Sequence, residues 1–311
     1  MKKVAVIQES PIVLDKERTL EMAVGLVEKA AAGGAELVVF PEAFISGYPA
    51  WIWRLRPGGD WGINEELYAR LLNSAVDIDN GELASLCEAA KKNKVTMVCG
   101  LTERDGTLGR ATLYNTVVII GDGGSVLNRH RKLMPTNPER MIWGIGDGSG
   151  LNVVDTPVGR VGALLCWENY MPLARYALYS QGVEVYVAPT YDSGDAWIGT
   201  MQHIAREGRC WVICSGVALT RDDIPPDLPG KGSLYPEEEY WINAGDSVVV
   251  APGGEIVSGP MREDKGILFA EIDSGYVARS KRVLDVAGHY SRPDVFTLHV
   301  NTRPQTPVEF K

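Results

Sequence analysis

Two stretches early in the chain, KVAVIQ (3–8) and ELVVF (36–40), are short apolar runs rich in β-branched residues. Between them residues 15–32 place Leu20, Ala23, Val27 and Ala30 at three-to-four-residue spacing. The pattern predicts strand, helix, strand. A second helix is expected over 82–94, ahead of a strand at TMVCGL (96–101). NTVVII (115–120) and SVLNRH (125–130) then flank Gly121, Asp122, Gly123 and Gly124, and glycine supplies the positive φ of a tight hairpin turn. The second half follows a related plan: RVGALLC (160–166), a helix near 171–181, VEVYVAP (183–189), a helix near 196–208, and WVICSG (211–216). SVVVAPGGEIV (247–257) resembles NTVVIIGDGGSVL (115–127), each an apolar strand, a glycine turn and a second strand, a likeness that duplication and chance both produce.

Apolar strands joined by helices and alternating with hairpins predict an α/β protein with mixed sheets covered by helices. About ten to twelve strands are too many for one strongly twisted sheet, so two sheets are expected. The segment 217–244 is rich in Pro, Asp and Gly, the composition of a functional lid or an edge insertion. No linker composition divides the 311 residues, and we expect a single domain over 1–311 with a short tail from about 297.

Composition narrows the function classes. A net charge of −9 with no clustered Lys/Arg surplus argues against nucleic acid and favours a small uncharged substrate. The apolar run after MKK stops short of a signal-peptide core, and no stretch approaches the roughly 18 apolar residues of a membrane span. A cytoplasmic protein that engages no membrane is the expectation. Cys87, Cys99, Cys166, Cys210 and Cys214 form an odd set, so reduced thiols are expected rather than a disulfide framework. CWVIC (210–214) lies in an apolar run without a following His pair, and neither a metal nor a cofactor is expected.

Candidate chemistry sits where apolar runs end, the place where α/β sheets gather ligands. Cys166 closes VGALL and is followed by Trp167, Glu168 and Asn169. Such a cysteine is more often a small core residue than a nucleophile, and other residues have to reverse that reading. Glu42 follows ELVVFP, where Pro41 fixes the exit direction, and RHRKLMPTNPER presents Lys132 and Glu139 after another strand. Each alone reads as ordinary surface polarity; together Glu, Lys and Cys define a chemistry. A free thiol with pKa about 8.5 is only about 3% thiolate at pH 7, so it needs a base or a cation. Glu42 is a poor base at an ordinary pKa of about 4.3, and burial or a second carboxylate such as Glu139 would raise it. Lys132 would stabilise negative charge developing on substrate nitrogen or oxygen. A papain-like alternative needs a histidine base. Of His130, His203, His289 and His299, only His203 falls on a helix near the second-half strands, and that reading leaves Glu42 and Lys132 without a role.

VVFPEAFISGYP around Glu42, RHRKLMPTNPER around Lys132 and Glu139, LLCWENYMPLAR around Cys166 and GHYSRPDVF at 288–296 together resemble the nitrilase superfamily, its nitrilase branch above all, over about residues 3–300. The resemblance implies a four-layer α-β-β-α sandwich with a triad carried by Glu42, Lys132 and Cys166, and Glu139 as an additional active-site carboxylate. CWEN points to nitriles, hydrolysed with water through a Cys166 thioimidate and then a thioester. An amidase or carbamoylase of the same superfamily is the alternative, and a non-catalytic assembly subunit the alternative of another class. Trp143, Trp167, Tyr170 and Tyr48 fall beside the matched motifs as candidate substrate-binding residues, with plain packing as the rival role. Tyr48, Trp51, Trp53 and Trp61 make the stretch after Glu42 an aromatic-rich loop. The resemblance further implies at least a homodimer. With a tail briefer than those of nitrilases that build spirals, only short or conditional higher assemblies are expected.

Overall fold

Val4 and Val6 of β1 (Lys2–Gln8) face one side and Ala5 and Ile7 the other, and all four are buried. A strand covered on both faces reads as an unbroken apolar run, which is why KVAVIQ stands out. The computed structural model describes residues 1–107, 109–306 and 308. After β1 come α1 (Lys16–Ala32), β2 (Leu37–Val39), α2 (Trp61–Ser74), α3 (Ala84–Asn93), β3 (Thr96–Arg104), β4 (Leu113–Ile120) and β5 (Val126–Arg131). The Asp15 side chain caps α1 by accepting from Arg18 N at 3.1 Å. That helix buries Leu20, Leu26 and Val27, each contributing about 1.5–3 kcal/mol.

The second half holds β6 (Val154–Thr156), β7 (Gly159–Ala163), α4 (Pro172–Tyr179), β8 (Val185–Thr190), α5 (Asp195–Gly208), β9 (Trp211–Gly216), β10 (Ala218–Thr220), α6 (Lys231–Leu234), β11 (Trp241–Val250), β12 (Ile256–Arg262), β13 (Gly266–Ile272) and α7 (Ser274–Lys281). The strands form two mixed sheets. The first has the order β13-β1-β2-β3-β4-β5; the second runs β10-β11-β9-β8-β7-β6, with β12 also paired to β11. The two hairpins alike in sequence occupy equivalent places: β4–β5 follows the parallel set β1-β2-β3, and β11–β12 follows the parallel set β7-β8-β9.

Four layers result. Leu20, Ala23 and Val27 of α1 and Leu86 and Ala90 of α3 pack on Ala5, Val38, Met97 and Val118 of the first sheet. Leu178 of α4 and Trp197, Met201 and Ile204 of α5 cover Tyr186, Val212 and Val248 of the second. Val4, Val39, Val98 and Ile119 meet Val161, Val187, Ile213 and Val249 between the sheets. This is the expected α-β-β-α sandwich.

Several elements depart from the expected pattern. The strand expected over 160–166 ends at Ala163, the last residue paired to β8, and a 3₁₀ turn over Cys166–Tyr170 begins at the cysteine itself. The stretch expected as an aromatic loop gives way to α2 from Trp61, a helix with only Leu67, Leu71 and Ser74 buried, too thin a stripe to stand out. Segment 217–244 is an edge insertion: β10 pairs with β11, α6 follows, and Arg54 grips Glu239 with bonds of 2.6 and 2.5 Å.

Candidate active site

Glu42 lies just beyond β2, reached through Phe40 and Pro41 and followed by Ala43 at φ +48°. The chain crosses here directly over Gly100 of β3: a Cβ at that glycine would lie 2.3 Å from the Pro41 carbonyl oxygen and 2.8 Å from the Glu42 Cα. Glycine is what lets the carboxylate-bearing loop lie against the sheet. Lys132 is the first residue after β5, its backbone N–H donating to Asn115 O at 2.8 Å. Cys166 has φ +48°, a left-handed backbone that few non-glycine residues adopt and that is held only where surroundings impose it.

These three strand ends converge. Lys132 Nζ donates to Glu42 Oε1 at 2.9 Å and to Glu139 Oε2 at 2.8 Å, with all three side chains buried. Glu42 is held further by Asn115 Nδ2 at 2.7 Å on Oε1 and by Tyr191 N at 2.7 Å on Oε2. Glu139 accepts from Thr136 N and from the Tyr48 hydroxyl, both at 2.6 Å, and Trp53 Nε1 donates to that hydroxyl at 2.9 Å. Cys166, buried beside this chain of charges, interacts electrostatically with Glu42, Lys132 and Glu139 and hydrogen-bonds Thr190.

The charges tune one another. Burial raises the Glu42 carboxyl; Lys132 opposes that and Glu139 reinforces it, leaving Glu42 above the ordinary value. Burial pulls the Lys132 ammonium down, but Glu42, Cys166 and Glu139 outweigh it, so the lysine stays charged. Burial, and then Glu42, push the Cys166 thiol up against the pull of Lys132, so its resting form is the neutral thiol. Burial also raises Tyr48, which remains a protonated donor to Glu139. A neutral thiol beside a carboxylate of raised basicity and a fixed ammonium is equipped to add sulfur to an electrophilic carbon while the proton moves to Glu42.

The four aromatic candidates separate. Tyr48 belongs to the site, stacked on Tyr191 with centroids 3.8 Å apart and bonded to Glu139. Trp143 is buried behind it, edge-on to Tyr48 at 5.6 Å. Trp167 and Tyr170 are 48% and 45% exposed, bonded through Nε1 to Asp192 Oδ2 and through the hydroxyl to Thr200 Oγ1. His203 is exposed and pairs with Glu207 one turn along α5, away from any cysteine bond, whereas His130 is buried against Glu168. Residues missed by sequence reasoning are Asn115, Tyr191, Thr190 and Glu168. Asn115 opens a recognised strand, Thr190 falls one residue past another and Glu168 lies within CWEN, but nothing local marks their partners. Among the described residues no group of three or more His, Cys, Asp or Glu is arranged to hold a metal.

The sequence matches the carbon-nitrogen hydrolase family over residues 3–282. It is 42% identical to a bifunctional nitrilase/nitrile hydratase of Lupinus angustifolius, covering 99% of this chain and 88% of that one. It is 40% identical to an aliphatic nitrilase of Sinorhizobium fredii (strain HH103), covering 98% and 97%. Among solved structures, the carbon-nitrogen hydrolase of Helicobacter pylori superposes with a TM-score of 0.71 at 20% identity, over 94% of this chain and 96% of that one. The NitFhit protein of C. elegans superposes with a TM-score of 0.73 at 23% identity, over 98% and 68%. The structural likeness establishes the shared sandwich, and the sequence likeness carries the relationship further: the chain belongs to the carbon-nitrogen hydrolase family, on its nitrilase branch.

Proposed function

We propose that this enzyme hydrolyses an organic nitrile to the carboxylic acid and ammonia, with Cys166 as nucleophile, Glu42 as general base and Lys132 as the charge that stabilises the developing anion. The observation that carries the reading is the buried chain Glu42–Lys132–Glu139 set against a thiol whose backbone is held at positive φ. Cys166 Sγ bonds the nitrile carbon as its proton passes to Glu42, and the nitrile nitrogen takes up that proton to give a thioimidate. A water then adds to the same carbon, returning a proton to Glu42. Glu42 hands it to nitrogen, giving a tetrahedral intermediate that bears hydroxyl, amino and sulfur; the hydroxyl proton then moves to nitrogen as the C=O forms, the C–N bond breaks and ammonia leaves. A second water cleaves the resulting thioester, releasing the acid and restoring the thiol. Glu139 holds the lysine through a second hydrogen bond and raises the basicity of Glu42.

A second outcome is favoured by the relatives named bifunctional nitrilase/nitrile hydratase. If the tetrahedral intermediate expels sulfur before nitrogen, the product is the amide. Ammonia, acid and amide measured separately across a panel of nitriles and amides test both readings. Acid with stoichiometric ammonia from nitriles supports hydrolysis; turnover of amides alone would overturn it in favour of an amidase.

The same proposal includes a homodimer in a cytoplasmic setting, where an odd set of cysteines stays reduced. Apolar and aromatic residues near 171–180 and 203–211 are the segments considered for a two-fold contact, and of these Ile204, Ala205, Cys210 and Trp211 are spent on the core. Tyr170, Met171 and Leu173 remain exposed at the start of α4 and are the apolar residues offered to a second copy.

A further inference from the structure

The turn that carries Cys166 contains a second buried charge that the reaction does not consume. Glu168 is 1% exposed, and its carboxylate accepts four contacts: Leu165 N on Oε2 at 2.9 Å, Leu133 N on Oε1 at 2.8 Å, and His130 Nε2 on both oxygens at 2.9 and 3.0 Å. Leu165 immediately precedes the nucleophile and Leu133 immediately follows the active-site lysine. His130 lies on β5, paired across to Val117 of β4 in the first sheet, whereas the Cys166 turn leaves β7 in the second. One carboxylate thus fastens together the backbone on either side of the sandwich at the two points from which Sγ and Nζ are suspended.

The neighbouring side chain shows what is special about this one. Asn169 also braces the turn, donating to Leu164 O at 3.1 Å and Cys166 O at 2.8 Å and accepting from Tyr186 at 2.6 Å, but those partners all lie in the second half of the chain. Glu168 reaches across. Burial by itself pushes its carboxyl up, but His130 and the two backbone donors outweigh burial and hold it below the ordinary value, so the clamp is a carboxylate with its oxygens occupied.

We infer that Glu168 is a positioning residue of the nitrile-hydrolysing site: by tying Leu165 N and Leu133 N to one buried carboxylate, it sets the placement of the Cys166 sulfur relative to Lys132. The inference rests on the proposed roles of Cys166 and Lys132. Misplacement of reacting groups by about 1 Å costs on the order of a hundredfold in rate. Glutamine fits the same space but has one oxygen and an amide N–H₂, so one of the two backbone N–H groups then faces a donor and is pushed away.

The test compares Glu168→Gln, Glu168→Asp and His130→Gln with the parent, reading kcat, KM, the rate of Cys166 alkylation by iodoacetamide and the circular dichroism of each protein. Glu168→Gln is expected to lower kcat by about a hundredfold, with KM within threefold, an altered alkylation rate and an unchanged spectrum. Glu168→Asp, which restores the charge, should recover part of the loss. Cys166→Ala run alongside separates the two readings: if it retains turnover, the site assignment falls, whereas an inactive Cys166→Ala with Glu168→Gln within twofold of the parent overturns the clamp alone. A kcat loss in Glu168→Gln fully explained by a reduced fraction of folded enzyme, with normal alkylation in what remains, also overturns it. Should Glu168→Gln fail to fold, Glu168→Asp decides, since it keeps the charge but draws the carboxylate back by one methylene from both backbone donors: kcat lowered severalfold at constant KM supports the clamp, and unchanged kcat overturns it; His130→Gln, which leaves both backbone ties in place, should lose less.

Discussion

Cys166, Glu42 and Lys132 each make a different demand on the same small volume, and their substitutions should fail in different ways. Cys166→Ala removes the covalent step and is expected to abolish turnover with the fold intact, as read by product release and circular dichroism. Cys87, Cys99, Cys210 and Cys214 should tolerate alanine with activity retained; equal inactivation at Cys214 would undo the choice of nucleophile. Glu42→Gln should be folded and slower by at least about a hundredfold, within the range of lost general-base catalysis. Lys132→Met should fail likewise, and mass spectrometry with substrate will tell whether it stops before or after the covalent adduct. The pH dependence follows from Glu42. It works as the carboxylate, and its pKa is held above the usual 4.5 by burial and then by Glu139 against the pull of Lys132. Thus kcat/KM is full above the raised value and is lost as pH falls through it, placing the acid limb above pH 4.5. Glu139→Gln removes the repulsion that helps to raise Glu42, so whatever activity it keeps should show an acid limb at lower pH than the parent. A limb that stays in place or moves up would exclude the coupling.

At the scale of elements, what could be read in advance followed from how far each cause extends along the chain. β2, which leads to Glu42, is buried on both faces and β7, which leads to Cys166, is buried from Val161 on, so their apolar runs are local features; β5, which leads to Lys132, is only partly buried and is marked instead by the glycine turn before it. Asn115 on Glu42, Tyr191 on Glu42 and Glu168 on His130 are contacts made across 73, 149 and 38 positions, and no window of sequence contains both partners. The weakly patterned elements escaped for a different reason: β13 has five of its seven residues half-buried, which blurs the alternation of inward and outward positions. Buried polar pairs formed between strands were equally invisible. Glu103, at the end of β3, is buried and bound by Arg129 Nε at 3.0 Å, Arg131 Nε at 2.8 Å and Thr116 Oγ1 at 2.8 Å. Glu103→Gln removes the carboxylate shared by two adjacent guanidiniums, leaving Asp79 to Arg129 and Asp105 to Arg131. With the two arginines 27% and 25% exposed, the expected loss is about 2–3 kcal/mol, below that of a fully buried pair. Burial raises the Glu103 carboxyl but the two arginines outweigh it, so its contribution is present above pH 4.5 and lost as pH falls through the lowered native value. Denaturant titrations of parent and variant should therefore converge in strongly acidic buffer; a constant difference across pH would show that the cost is steric instead.

For the molecule as a whole, the net charge of −9 opposes association, and salt screens such repulsion over about 8–10 Å. Light scattering should show the proposed dimer strengthened at higher ionic strength. Leu173→Asp, at an exposed position of α4, should weaken it by about tenfold or more, roughly 1.4 kcal/mol. A strictly monomeric, fully active enzyme at micromolar concentration would refute the dimer. The topology also constrains the order in which the protein is made. β13 pairs antiparallel with β1 along its length, from Lys2 opposite Ile272 to Gln8 opposite Gly266. On the ribosome, β1 emerges early and its edge partner very late, after both hairpins and the whole second sheet. Through most of translation the first sheet therefore carries an open, apolar edge, the kind of surface that recruits other chains. A fragment of residues 1–150 is expected to aggregate when produced alone and to gain solubility when a peptide spanning 264–282 is supplied in trans. A fragment that folds unaided as a monomer would mean that the edge is harmless; otherwise, yield in the cell depends on how quickly the last strand arrives to close the first.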